Sequence, residues 1–395
     1  MPLVTYADLH KPAATQPMLK VFELSKLRLH DNTRRMPPTA AMSATDLAAL
    51  DQWFDAGARP GVSADATCAL TPAKPTGSTR DRTYGRLDPL PGETCYEFKT
   101  HAAYDSVDSK AYDVGSGEHY EQFYFKAPWP AGTVATSYST ITDNAKVLHH
   151  WLLFSTDENE VQGFHKTSPL PTLAGQNPQL LAGWAVGGPN VVPPEDVGLE
   201  LPGPGKQINV QWHFYNSTDE RQVDASSLQI CTVPATMRAH VGNVTWLGTE
   251  DLNGSVFLGG AGMPPRQEST FTASCSPGRK GLGADEPIHI IGFEPHMHRI
   301  GTRMRTDVVH KDKTVETIFD EPFSFGNETH YFRSYDLLPG ETLTTSCSFN
   351  NTNDYGVPFG ESTDAEMCYQ FVFAWPTHAL ANFAPSWIGV PDTCW

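Results

Sequence analysis

The sequence predicts a mainly β protein: two antiparallel β-sandwich domains in tandem, preceded by a short α-helical module. Three observations carry this. Short runs of alternating apolar and polar residues, at 121–126, 147–154, 207–215, 227–233, 289–293, 303–309 and 367–374, are separated by turn residues, which is how strands of a half-buried sheet read. The 32 Gly and 32 Pro among 395 residues break the chain too often for long helices. A change of texture between Val233 and Thr245 is followed by a second set of strands comparable to the first, so two sandwiches are the natural partition.

Before the first sandwich the pattern differs. Ser43 opens a helical stretch with Asp46 at the capping-box position, Leu47, Leu50 and Phe54 recur at helical spacing, and Gly57 ends it. Residues 1–62 therefore form a helical module. Residues 63–118, rich in Pro, Gly and Thr, read as linker and lead-in. The sandwiches are expected over 119–236 and 237–395.

Composition removes several functions. A formal charge of −17 with no cluster of Lys and Arg argues against a nucleic-acid partner. No apolar stretch approaches bilayer length, so the chain is expected not to span a membrane, and Met1 to Ala14 lacks the apolar core of a signal peptide. The seven cysteines are widely spaced and include no C-x-x-C, which favours structural disulfides over zinc or thiol redox chemistry. Disulfides imply an oxidising compartment, secreted or periplasmic, with the signal segment absent from this chain.

The chemistry lies in histidines. His149 and His150 stand side by side in a strand, where neighbours point to opposite faces, so both meet one ion only at a bulge or strand end. In 208–215, alternation places Ile208, Val210, Trp212 and Phe214 on one face and Asn209, Gln211, His213 and Tyr215 on the other. That polar stripe suits His213 as a third ligand, supported by Gln211. Further on, His296 and His298 are two apart and share one face of a strand, a separation that one ion can bridge. Met367 is core filler by default; beside two imidazoles its soft thioether suits copper far better than zinc or magnesium.

Taken in order, His149-His150, Gly198-Leu199-Glu200-Leu201 leading to Gln211-Trp212-His213-Phe214, His296-Met297-His298-Arg299-Ile300-Gly301, and Phe359-Gly360-Glu361-Ser362-Thr363 before Glu366-Met367-Cys368 resemble the copper type II, ascorbate-dependent monooxygenases, particularly their bacterial members. The resemblance spans roughly residues 119–395. It implies two jelly-roll-type domains and two copper ions facing each other across a solvent-filled cleft. His149, His150 and His213 then resemble the electron-transfer site, and His296, His298 and Met367 the catalytic, oxygen-activating one. The implied reaction hydroxylates an aliphatic C–H bond of a small molecule with dioxygen and electrons from ascorbate or another small reductant. The resemblance also implies the disulfides Cys95–Cys231, Cys275–Cys394 and Cys347–Cys368, leaving Cys68 over. Separately, Met36-Pro37-Pro38 and the following helix resemble the tail of a cytochrome c domain, but no C-x-x-C-H occurs and haem is not expected.

The chain departs from the family's peptide hydroxylases where they grip a substrate carboxylate. Those positions are Glu294, Tyr369 and Phe371, an acid with aromatic walls, which is expected to suit an amine-bearing or aromatic molecule. Two other readings of the same residues stay open. One is a three-histidine zinc hydrolase, in which Met367 has no task; the other is a copper-binding or electron-transfer protein without catalysis.

Overall fold

The computed structural model describes residues 9–13, 16–31, 44–55, 58, 82–157, 159–168, 178–253, 262–278, 286–326, 328–360, 362–382 and 393–394. Contacts divide the chain into two units, Met1–Asp81 and Arg82–Trp395. In the first, a small hairpin of β1 (Pro12–Ala13) and β2 (Gln16–Lys20) leads into helix α1 (Val21–Leu29), and a second helix, α2, covers Ala44–Asp55. Phe22, Phe54 and Ala58 bury against one another. Lys26 pairs with Asp55, and His30 Nε2 meets Asp51 Oδ1 at 2.8 Å, which ties the helices together. The proposed cap Ser43, the stop Gly57, Met36-Pro37-Pro38 and Cys68 lie outside the described residues.

The second unit is built of strands. Its first half carries β3 (Thr94–Lys99), β4 (Tyr112–Val114), β5 (Gly117–Lys126), β6 (Thr133–Ile141), β7 (Leu148–Thr156), β8 (His165–Thr167), β9 (Gln179–Ala185), β10 (Val197–Glu200), β11 (Gln207–Asn216), β12 (Gln222–Asp224) and β13 (Ser227–Pro234). The second half carries β14 (His240–Thr249), β15 (Gln267–Cys275), β16 (Ile288–His296), β17 (Gly301–Val309), β18 (Val315–Pro322), β19 (Tyr335–Leu337), β20 (Thr342–Asn351), β21 (Cys368–Trp375) and β22 (Thr393–Cys394). A five-stranded sheet runs β8-β5-β11-β7-β9 and a four-stranded sheet runs β15-β20-β17-β18. A nine-stranded sheet, β19-β16-β21-β14-β10-β6-β13-β3 with β22 beside β14, belongs to both halves. The chain passes from one half to the other through a single helical turn, Ala235–Met237, yet the sheet does not break there, because β10 and β14 pair in parallel. The segment read as lead-in supplies β3 and β4. Its inward residues Tyr96 and Phe98 are only two alternations long, too short to stand out among the prolines and glycines around them.

The shared sheet places residues from both halves within reach of each other. Along β21, Tyr369, Phe371 and Phe373 pack into the first core, with Trp151, Trp212 and Phe214, while Cys368, Val372 and Ala374 pack into the second, with Phe293, Met304 and Phe349. A strand buried on both faces reads as a near-continuous apolar run, and 367–374, expected to alternate, is such a run interrupted by the buried Gln370. On β16, a bulge leaves Ile291 without a partner on β21 between Ile290↔Ala374 and Gly292↔Phe373. The bulge reverses the alternation. Ile288 and Ile290 face the second core, whereas Gly292, Glu294 and His296 lie alongside Phe373, Phe371 and Tyr369 on the face toward the first. Three disulfides close on this frame: Cys95–Cys231 across β3 and β13, Cys275–Cys394, and Cys347–Cys368.

Candidate metal centre

Strand β11 lies between β5 and β7, and its pairing shows how two adjacent histidines reach one point. His213 pairs with His150 and Phe214 with Leu148, so His149 is the extra residue of a bulge. The bulge turns both imidazoles toward His213. The Nδ1 atoms of His149 and His150 lie 3.1 Å apart, and the rings of His149 and His150 lie 5.0 and 4.6 Å from that of His213. One ring nitrogen from each of the three falls within 4.8 Å of the others. Two imidazole lone pairs come this close only with a proton or a cation between them.

The third ring is oriented from β5. His213 pairs with Tyr120 across the strands and stacks on it at 4.2 Å, nearly parallel. The Nε2–H of His213 donates to Glu118 Oε1 at 2.9 Å, leaving its buried Nδ1 without a partner. Burial works to raise Glu118, but the hydrogen bonds from His213 and Tyr120 prevail and lower it below the usual carboxylate range. Gln211, expected to support His213, lines the neighbouring cavity.

The second group forms where β16 ends. The Nδ1–H of His296 donates to Glu328 Oε2 at 3.0 Å, and the Nδ1–H of His298 donates to the carbonyl of Ala365 at 3.0 Å. Each bond fixes a tautomer with the proton on Nδ1, the arrangement found behind metal-bound histidines. Met367 and both rings line one cavity with His150, Gln211, Tyr120, Leu152, Phe154, Trp246, Tyr369 and Phe371. Glu366 joins the pieces. This fully buried carboxylate accepts the backbone N–H groups of His298 at 2.7 Å, Ile300 at 2.8 Å and, more loosely, Met367 at 3.3 Å. Burial pushes its pKa up to about 7 against those donors.

Burial disfavours the charged form of four of the imidazoles. Burial, reinforced by neighbouring histidines, holds His149 and His298 down to about 3 and pushes His150 well below the ordinary range. Burial also lowers His213, with Glu118 opposing. Neutral imidazole is the ligating form, so no proton has to leave before an ion binds.

Two placements differ from expectation. The two groups of residues are not separated by a wide, wet cleft. The rings of His150 and His296 are 5.8 Å apart, Phe325 stacks on His149 at 4.4 Å with His298 at 5.9 Å, and the cavity measures about 20 Å³, room for roughly one water. The first half's five-stranded sheet and the shared face of β16 and β21 pack directly on each other, and this closes the gap. Of the three residues proposed for a substrate pocket, Tyr369 and Phe371 line the cavity, but Glu294 does not. Its carboxylate is buried against Gly183, where an added Cβ would lie 2.9 Å from Oε1, and its Oε2 faces His330 Nδ1 at 3.9 Å.

Residues 252–384 match the family described as copper type II ascorbate-dependent monooxygenase, C-terminal domain. The chain is similar to DBH-like monooxygenase protein 1 of Homo sapiens, 26% identical over 268 residues, covering 62% of this chain and 41% of the relative. It is similar to the dopamine beta-hydroxylase of Homo sapiens, 24% identical, covering 60% and 40%. With the tyramine beta-hydroxylase of Caenorhabditis briggsae the identity is 25%, covering 59% and 40%. A mainly β frame that gathers two histidine groups around one cavity is the class of structure in hand. Over residues 252–384 the chain matches the copper type II ascorbate-dependent monooxygenase family, and its relatives are monooxygenases and hydroxylases by name. It spans about two-fifths of the length of the curated relatives it matches.

Proposed function

We propose that this chain is a copper-dependent monooxygenase that hydroxylates an aliphatic C–H bond of a small organic molecule, using dioxygen and an external reductant such as ascorbate. One copper is held by His149, His150 and His213, the other by His296, His298 and Met367, on two jelly-roll-type sandwiches. The observation that carries the reading is the convergence of five histidines and a thioether from four distant stretches: His150, His296, His298 and Met367 line one cavity, and His149 and His213 stand beside His150, with one ring nitrogen from each of the three within 4.8 Å of the others. The donor sets fit the ion. Three imidazoles tolerate a copper that changes charge, and two imidazoles with a thioether favour the cuprous state. When bound, copper supplies the electron transfer and dioxygen chemistry.

The chain's own residues do the rest. Glu118, Glu328 and the Ala365 carbonyl hold tautomers and ring angles, and Glu366 fixes the distance between the His298 turn and Met367. Trp246, Tyr369, Phe371, Leu152 and Phe154 wall out water. The cavity as it stands admits a diatomic molecule; an organic substrate enters only as the walls part. The absence of Glu294 from the lining weighs toward an aromatic substrate over one held by its amine. An oxidising compartment, secreted or periplasmic, agrees with the three disulfides.

The test is copper stoichiometry together with ascorbate-driven oxygen uptake, in the wild type and in Met367→Leu. Expected are two coppers that depend on the six named ligands and reductant-dependent uptake in the wild type, with uptake lost in the variant. Zinc in preference to copper, or uptake indifferent to Met367, would sink the assignment.

A further inference from the structure

A second set of imidazoles lies elsewhere in the first sandwich and takes no part in the cavity. His101 follows β3 and His165 opens β8, which pairs with β5 through His165↔Phe123. His101 is completely buried, and neither of its ring nitrogens has a hydrogen-bond partner. The Ala103 carbonyl is near enough to act on its ring N–H but stands outside hydrogen-bonding geometry. The Nδ1 of His165 is likewise buried and bare. Burial without a partner costs each such atom about 1–3 kcal/mol, so three of them in one place call for an explanation, and an unseen water or ion is the usual one.

Geometry favours an ion. The His101 and His165 ring centres are 6.2 Å apart. With metal–imidazole bonds of ~2.0 Å and a ring nitrogen ~1.2 Å from its ring centre, two rings aimed at one ion sit about 6.4 Å apart. Around them are π faces: Phe123 stacks on His165 and meets His101 edge-on, both at 5.1 Å, and Tyr104 and Tyr112 lie 5.4 and 5.8 Å from His165. Such walls accept a cation and repel an anion. Of the carboxylates nearby, Asp108 acts on His101 through its charge, and Glu121 is already engaged by Thr167 Oγ1 at 2.8 Å and by the Tyr112 hydroxyl.

We propose that His101 and His165 form a third metal site, in which two imidazoles hold a soft monovalent ion, cuprous copper, between the buried His101 and the half-buried His165. Two imidazoles suit that ion, whereas a structural zinc takes four protein ligands. The ion pins the segment after β3 to the β8 edge of the five-stranded sheet. The inference does not depend on the six residues around the cavity.

The test is an anaerobic titration of the metal-free full chain with cuprous ion against a chromophoric chelator. The wild type is expected to take up one equivalent more than either His101→Leu or His165→Asn. Changing His149, His150 and His213 together to Ala should leave that extra equivalent in place. Circular dichroism checks folding. If both histidine variants fail to fold, X-ray absorption of that triple-alanine chain decides, since a population with two nitrogen neighbours and no sulfur is required. Equal uptake by wild type and variants, or no two-nitrogen population, overturns the proposal.

Discussion

Glu366 is the residue whose removal says most about how the proposed second copper site is held. Replacing it by Ala strips the acceptor from two close backbone donors, His298 N–H at 2.7 Å and Ile300 N–H at 2.8 Å, and from the longer Met367 contact. A buried donor left without a partner costs about 1–3 kcal/mol, so the two short bonds alone would cost roughly 2–6 kcal/mol. The carboxylate is itself an unwilling occupant, since burial holds its pKa up to about 7, and losing it returns part of that cost. The lower end, about 2–3 kcal/mol, is therefore expected. Glu366→Gln keeps the volume and one acceptor, so its loss should be smaller. Urea denaturation of the metal-free chain measures stability, and competition against a chelator measures copper. Both variants should weaken copper at the His296–His298–Met367 site while sparing the three-histidine site. Variants within about 0.5 kcal/mol of the wild type, the range of neutral surface changes, with unchanged copper affinity, would show that the turn holds its shape without the carboxylate.

Further expectations follow from single contacts. Met367→Leu conserves volume in a buried position, so it should fold with a stability loss under about 1.5 kcal/mol yet bind one copper fewer than the wild type by metal analysis. Glu118→Gln removes the charged acceptor behind His213 and should weaken the three-histidine site about 10- to 100-fold by equilibrium dialysis. Gly248 has φ +127° and an added Cβ would fall 2.0 Å from the Cys368 carbonyl; Gly248→Ala should cost more than about 2 kcal/mol by thermal or chemical denaturation, as β14 is forced off β21. Replacing Cys347 and Cys368 together by Ser opens a loop with a sequence separation of 21 and should cost about 3 kcal/mol.

What the sequence made legible was whatever is written in local order. Alternation along 208–215 put His213 on the same face as Gln211, and the doublet His149-His150 required a bulge, which the pairing of β7 with β11 contains. Residues that hold the ligands were not legible, because the hydrogen bonds that position them span long stretches of chain. Glu118 is 95 residues from His213, Glu328 is 32 from His296, and Glu366 is 68 from the His298 amide it accepts. An isolated Glu in a strand or loop looks like a solvated one until its partners are known. Two further signals were hidden for the same reason: Tyr120 stacks on His213 from a different strand, and Phe325 covers His149 from the other half.

Glu294 shows where alternation misleads. Its place two residues before His296 puts it on the same strand face, and that inference stands, since Glu294 and His296 pair with Phe371 and Tyr369 in turn. Sharing a face is not the same as sharing a cavity. What lies over a strand face depends on the sheet opposite, and here Gly183 of β9, with no side chain, lets the first half press onto Glu294 while the cavity opens only over His296. A side chain at residue 183 would lift the two halves apart at that point, so the glycine sets how closely the two histidine groups approach. The extent of the cavity therefore turns on the packing between β9 and β16 as much as on the residues that line it.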